Sequence, residues 1–136
     1  MVSPSPEGIL IKNKGESLAR SHWHILRDET SVTVTRRLPA RFDVFVETRM
    51  PLGRKLRIAH QVRQDMWRAL QDLRGFAPLV QVTQIEDALI VKAGGQFAGK
   101  FPRQYVLDKL AVLLADPEKR ARWVRFSKNR EAVSNG

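Results

Sequence analysis

Residues 54–93, RKLRIAHQVRQDMWRALQDLRGFAPLVQVTQIEDALIVKA, hold two periodicities side by side, and the change between them sets the fold. Over residues 54–74 apolar side chains recur every three or four positions, at Ala59, Val62, Met66, Leu70 and Leu73, and Ile58, Ala69 and Trp67 widen the stripe. That spacing predicts an amphipathic helix with Arg57, Gln61, Gln64, Arg68 and Asp72 turned to water. Gly75 would supply the left-handed residue after its end, letting Phe76 fold back toward Leu70, while Pro78 blocks continuation. Beyond it the period drops to two. Residues 79–85 and 88–93 read as a hairpin turned at Glu86-Asp87, and the succession Leu89, Ile90, Val91 predicts a strand covered on both faces.

Upstream, residues 21–27 read as a strand and 27–31 as a polar turn, and Val32-Thr33-Val34-Thr35 alternates as a half-buried strand does. Leu38-Pro39-Ala40-Arg41 breaks the pattern. Phe42, Val44, Val46, Thr48 and Met50 then share one strand face opposite Asp43, Phe45, Glu47 and Arg49, and Pro51 ends the run because it has no ladder donor. Downstream, Gly94, Gly95 and Gly99 read as a loop. Residues 102–115 read as a helix with Pro102 in its first turn and a stripe of Val106, Leu107, Leu110, Ala111 and Leu114. Asp116 is an N-cap before Pro117 and Glu118, opening a last helix over 116–129. A shift of 48 residues sets Val32–Thr35 on Val80–Thr83 and Ile58, Ala59, Val62 and Met66 on Val106, Leu107, Leu110 and Leu114. Such amphipathic coincidences arise readily by chance, and the polar positions do not match.

The expectation is an α+β fold: an antiparallel sheet of about five strands, covered on one face by the 54–74 and 102–115 helices, with the basic 116–129 helix as a C-terminal appendage. Residues 1–8, with two prolines and two serines, form a flexible lead-in, residues 9–133 a single domain, and residues 134–136 a frayed tail. Length agrees, since 136 residues suit one domain.

Composition narrows the function. With no cysteine, disulfide scaffolds, thiolate metal sites and cysteine nucleophiles are excluded. No basic n-region opens the chain and the longest apolar run is residues 110–115, so neither a signal peptide nor a membrane span is expected, and the cytoplasm is the simplest location. The net charge is +10, from 24 Lys and Arg against 14 Asp and Glu. The excess is concentrated: residues 36–74 carry +6 and residues 100–136 carry +5, while residues 1–35 are neutral and residues 75–99 carry −1. Sixteen of the cations are Arg, whose planar fork suits phosphate.

Three local patterns bear on chemistry. Residues 94–100, GGQFAGK, fit the first seven positions of a phosphate-binding loop, but Phe101 stands where a hydroxyl must hold magnesium and Pro102 removes a donor. A flexible loop is the better account, with Lys100 and Arg103 left to meet phosphate near a helix start. His22 and His24 would point the same way on a strand, but His60 is the sole further histidine and no metal site is expected. Arg54, Lys55 and Arg57 place three cations where a helix dipole is already positive: either solvent and salt screen the repulsion until it hardly matters, or an anion bound there offsets it. In residues 119–130, Trp123 and Phe126 share a helix face with Lys119, Arg122 and Arg130, either stacking on bases or packing onto the body.

No catalytic motif emerges, and no cofactor is implied. The expected function is a small non-enzymatic nucleic-acid-binding protein, for DNA or RNA. Phosphate contacts would come from Arg36, Arg37, Arg54, Lys55, Arg57, Lys100, Arg103, Lys119, Arg122 and Arg125, with stacking by Trp123. Arg36, Arg37, Arg54 and Arg57 are expected on the same side of the domain as Arg122 and Arg125. The alternative is an assembly or adaptor subunit whose basic patch meets an acidic protein partner, or which forms a homodimer through edge strands.

Overall fold

The computed structural model describes residues 23–128. The lead-in, the tail, His22, Arg130 and the expected start of the first strand lie outside them. Five strands and three helices follow in order: β1 (His24–Arg27), β2 (Ser31–Thr35), β3 (Val44–Pro51), α1 (Lys55–Leu70), β4 (Phe76–Ile85), β5 (Ala88–Phe97), α2 (Arg103–Ala115) and α3 (Pro117–Phe126). The strands form one antiparallel sheet in the order β1-β2-β4-β5-β3. The fold is α+β, as the periodicities require.

The hairpin β4–β5 is the middle of the sheet. It pairs from Phe76 with Phe97 to Ile85 with Ala88, and Glu86 takes the positive φ of 57° that the tight turn demands. Val34, Val80, Val82 and Val91 face α1, which covers them with Ile58, Ala59, Val62, Met66 and Leu70, all buried. Gln64 is exposed, so the phase read from the sequence holds. Burying five such side chains is worth roughly 1.5–3 kcal/mol each for the larger ones, enough to fix the helix without a side-chain cap. β2 and β3 lie on opposite sides of the hairpin rather than pairing with each other, so the two halves of the chain do not repeat one arrangement.

Several boundaries move for identifiable reasons. α1 stops at Leu70, and Gly75, at φ 74°, turns the chain into β4 instead of capping the helix. Pro78 sits inside β4, where its carbonyl accepts from the Arg36 N–H; its missing donor faces Arg36, just past the end of β2, so no bond to a residue of β2 itself is lost. Gly94 and Gly95 belong to β5 and not to a loop. A Cβ on Gly94 would lie 1.9 Å from the Val44 carbonyl oxygen, and one on Gly95 2.3 Å from that of Ala77. The glycines therefore let three strand backbones converge, and nothing remains of a phosphate loop.

Ile90 is half-buried on the open face, so β5 is covered by helices on one side only. Phe42 precedes β3 and packs on that open face against Phe45, ring centroids 5.6 Å apart, instead of sharing the Val44 face. Phe76 stacks on Phe97, and Phe97 on Phe101, and Phe76 packs against the core cluster to which Leu70 belongs. In α2, Leu113 is buried and Ala111 exposed. α3 is no appendage: Trp123 is fully buried in the same core as Met66 and Leu110. Asp116 caps it as expected, accepting from the Glu118 and Lys119 N–H groups.

Candidate nucleic-acid interface

Antiparallel pairing gives the sheet two ends. β2 finishes, β4 begins, β5 finishes and β3 begins at one end, which carries Arg36, Arg37, Lys100 and Arg103. At the other end β3 finishes and α1 begins, with Arg54, Lys55 and Arg57. The ten residues of β4 separate these ends by about 30 Å. The cations expected on one surface are therefore divided between two.

What joins them at the second end is a contact between helices. α3 runs antiparallel along α1: the Gln61 amide donates to the Trp123 carbonyl at 3.2 Å, and the Arg54 N–H donates to the Ser127 carbonyl at 2.7 Å. Gly53 permits this approach, since a Cβ there would lie 2.7 Å from Ser127 Oγ. The partly negative C-terminal end of α3 thus abuts the positive N-terminal end of α1, offsetting the dipole against which three cations would otherwise stand. The protein supplies its own compensation, and no anion is needed to explain Arg54, Lys55 and Arg57.

The contact brings Arg125 and Lys128, within two residues of Ser127, beside Arg54 and its neighbours. Arg54, Arg57, Arg125 and Lys128 are exposed, and none forms an ion pair among the described residues. Phe126, 53% exposed, adds an apolar ring to which the Arg125 guanidinium comes within 5.1 Å. Lys55 is half-buried, and its charge is the smallest of the influences holding the Asp28 carboxyl below its usual range, after the N–H of Thr30 and the bonds from Ser31.

Three of the expected contact residues are engaged elsewhere. Trp123 has no exposed ring face and donates through Nε1 to Asp65 at 2.8 Å, so stacking on a base is closed to it. Arg122 binds the same carboxylate at 2.7 Å, and Lys119 reaches the capping Asp116 at 3.3 Å. Asp65 went unread in the sequence. It is buried in α1 and accepts from Trp123, Arg122 and Arg68 together, pinning α3 to α1. Arg120 does the same toward the sheet, donating to Thr48 Oγ1, the Leu114 carbonyl and the Arg49 carbonyl at 2.7–2.8 Å.

The open sheet face carries a cleft of about 360 Å³ lined by Leu26, Arg27, Thr33, Phe42, Gln81 and Lys92 among others. The Lys92 ammonium lies 4.1 Å from the Phe45 ring centroid and 4.7 Å from that of Phe42. Among the described residues no three His, Cys, Asp or Glu side chains group as metal ligands, and no helix is long and apolar enough to cross a membrane. No family model, no curated protein and no solved structure matches this chain.

Proposed function

We propose that this protein is a small non-enzymatic nucleic-acid-binding protein, taking DNA or RNA on the end of the domain where α1 starts and α3 finishes. The observation that supports it is the group of exposed cations without carboxylate partners among the described residues, Arg54, Arg57, Arg125 and Lys128, gathered around the Arg54–Ser127 bond with Phe126 among them. Some cations elsewhere are ion-paired, Arg41 with Asp43, Arg49 with Asp87, Lys119 with Asp116, and Arg68 and Arg122 with Asp65, so what marks this end is four uncompensated cations close together around one exposed ring. Unpaired guanidiniums raise the local potential and suit phosphate, and an exposed ring among them suits base stacking. Arg36, Arg37, Lys100 and Arg103, at the other end, extend the positive field without sharing this surface.

The experiment is a titration against DNA, RNA and heparin at two salt concentrations, for the native chain and for the pairs R54E/R57E and R125E/K128E. Binding should weaken steeply with salt, and each lost phosphate contact should lower the log–log slope by about one. Stability should move by no more than about 0.5 kcal/mol, because these side chains are exposed. Unchanged affinity in both variants would remove the reading. Affinity insensitive to salt but lost on truncating Phe126 would instead favour an acidic protein partner.

A further inference from the structure

A second basic cluster lies apart from that surface. Trp23 precedes β1, and the register that sets His24 against Thr35 continues to place it opposite Arg36, on the helix-facing side with Ile25 and Val34. Its indole is 7% exposed. Two guanidiniums address this ring: Arg63 from the flank of α1, its Cζ 4.4 Å from the centroid, and Arg36 from the end of β2, at 5.4 Å. His60, one turn before Arg63, has Nδ1 3.4 Å from Arg63 Nη2.

The cluster is under-neutralised. Among the described residues neither Arg36 nor Arg63 has a carboxylate within ion-pair distance. Arg63 is half-buried, and its Nε is the one buried side-chain polar atom without a hydrogen-bond partner among them. Burial first, then the charge of Arg36, push the Arg63 guanidinium below its ordinary value, and burial first, then Arg63, push the His60 imidazole down. Half-buried Arg63 and exposed Arg36, both addressing the Trp23 ring without a counter-charge among the described residues, repel each other, and an anion beside them would relieve both.

We propose that Arg36, Arg63 and His60 form a binding site for a phosphomonoester, braced on Trp23. A monoester carries about −1.5 to −2 near neutral pH, which matches two guanidiniums and an imidazole that can take up a proton. A backbone phosphodiester carries a single negative charge and matches them less well. The phosphate could come from a small phosphorylated molecule or from the terminal phosphate of a nucleic-acid strand. The site does not rest on the nucleic-acid reading, since its residues are distinct from Arg54, Arg57, Arg125 and Lys128.

The test is calorimetric titration of the full chain with inorganic phosphate, with a 5′-phosphorylated oligonucleotide and with the same oligonucleotide unphosphorylated, while proton NMR follows His60. Saturable phosphate binding should raise the titration midpoint of His60 and weaken at least tenfold in R36Q and in R63Q, but stay unchanged in K109Q, at an exposed cation on α2. Because Arg36 is exposed, R36Q keeps the test decisive if R63Q fails to fold. An Arg63-dependent preference for the 5′-phosphorylated strand assigns the site to strand ends. Binding of inorganic phosphate without that preference assigns it to small phosphates. No saturable binding of either phosphate, or binding retained in R36Q, overturns the proposal.

Discussion

Asp65→Ala removes the acceptor on which α3 hangs. Asp65 is 3% exposed and accepts from three side chains: Trp123 Nε1 at 2.8 Å, Arg122 through Nη2 at 2.7 Å and Nη1 at 3.4 Å, and Arg68 Nη1 at 3.0 Å. With the carboxylate gone, the buried indole N–H has no partner, which costs about 1–3 kcal/mol. Breaking a fully buried ion pair costs about 3–5 kcal/mol, but the Arg122 side chain is 35% exposed and can recover water, so the lower part of that range is the ceiling here. The two effects overlap, and the expected loss is about 3 kcal/mol. Asp65→Asn keeps one oxygen for the indole and should lose about half as much. Arg68→Gln, at a side chain 66% exposed, should lose under about 1 kcal/mol. Urea unfolding followed by tryptophan fluorescence measures all three as shifts in midpoint at constant slope. A loss below 1 kcal/mol for Asp65→Ala would refute the role assigned to the carboxylate, and with it the claim that α3 is held to α1 by this buried acceptor.

Gly94→Ala should destabilise far more than Gly99→Ala, by several kcal/mol against roughly 1: the first drives a methyl against the Val44 backbone, whereas the second meets no atom within 4 Å and bears only the strain of φ 95°. Thermal melts of the two variants compare them directly. Stability should fall with acid in two stages. His24 and His60 have pKa values lowered by burial, so their contribution is complete above the unfolded value near 6.5 and is lost as pH falls through the folded values. Asp28, held down chiefly by the Thr30 N–H, Asp43, held down chiefly by Arg41, and Asp116, held down chiefly by the Lys119 N–H, follow the same sign below about pH 4. His60→Gln should shrink the first stage and leave the second, which pH-dependent unfolding measures.

How far the chain could be read in advance depended on the range of the interaction involved. The α1 phase, the Glu86-Asp87 turn and the Asp116 cap each depend on residues within a turn or two, and all three stand in the structure as the pattern implies. Gly94 and Gly95 read as a loop in sequence because glycine's local meaning is a turn, whereas here β3 and β4 need to approach a backbone without Cβ atoms. Asp65 was missed because its three donors include two from another helix, and an acidic residue beside an apolar stripe is indistinguishable in sequence from a solvated one. The cations at the α1 start show the same limit in its most consequential form. Judged locally, they conflict with the helix dipole and leave screening or a bound anion as the account, but the Ser127 carbonyl at the end of α3 already satisfies the Arg54 N–H. That changes what a binding experiment should count. Phosphate contacts at this end belong to side chains, not to free helix N–H groups, so the salt slope should track the number of guanidinium and ammonium groups removed and be indifferent to substitutions that alter only the capping backbone.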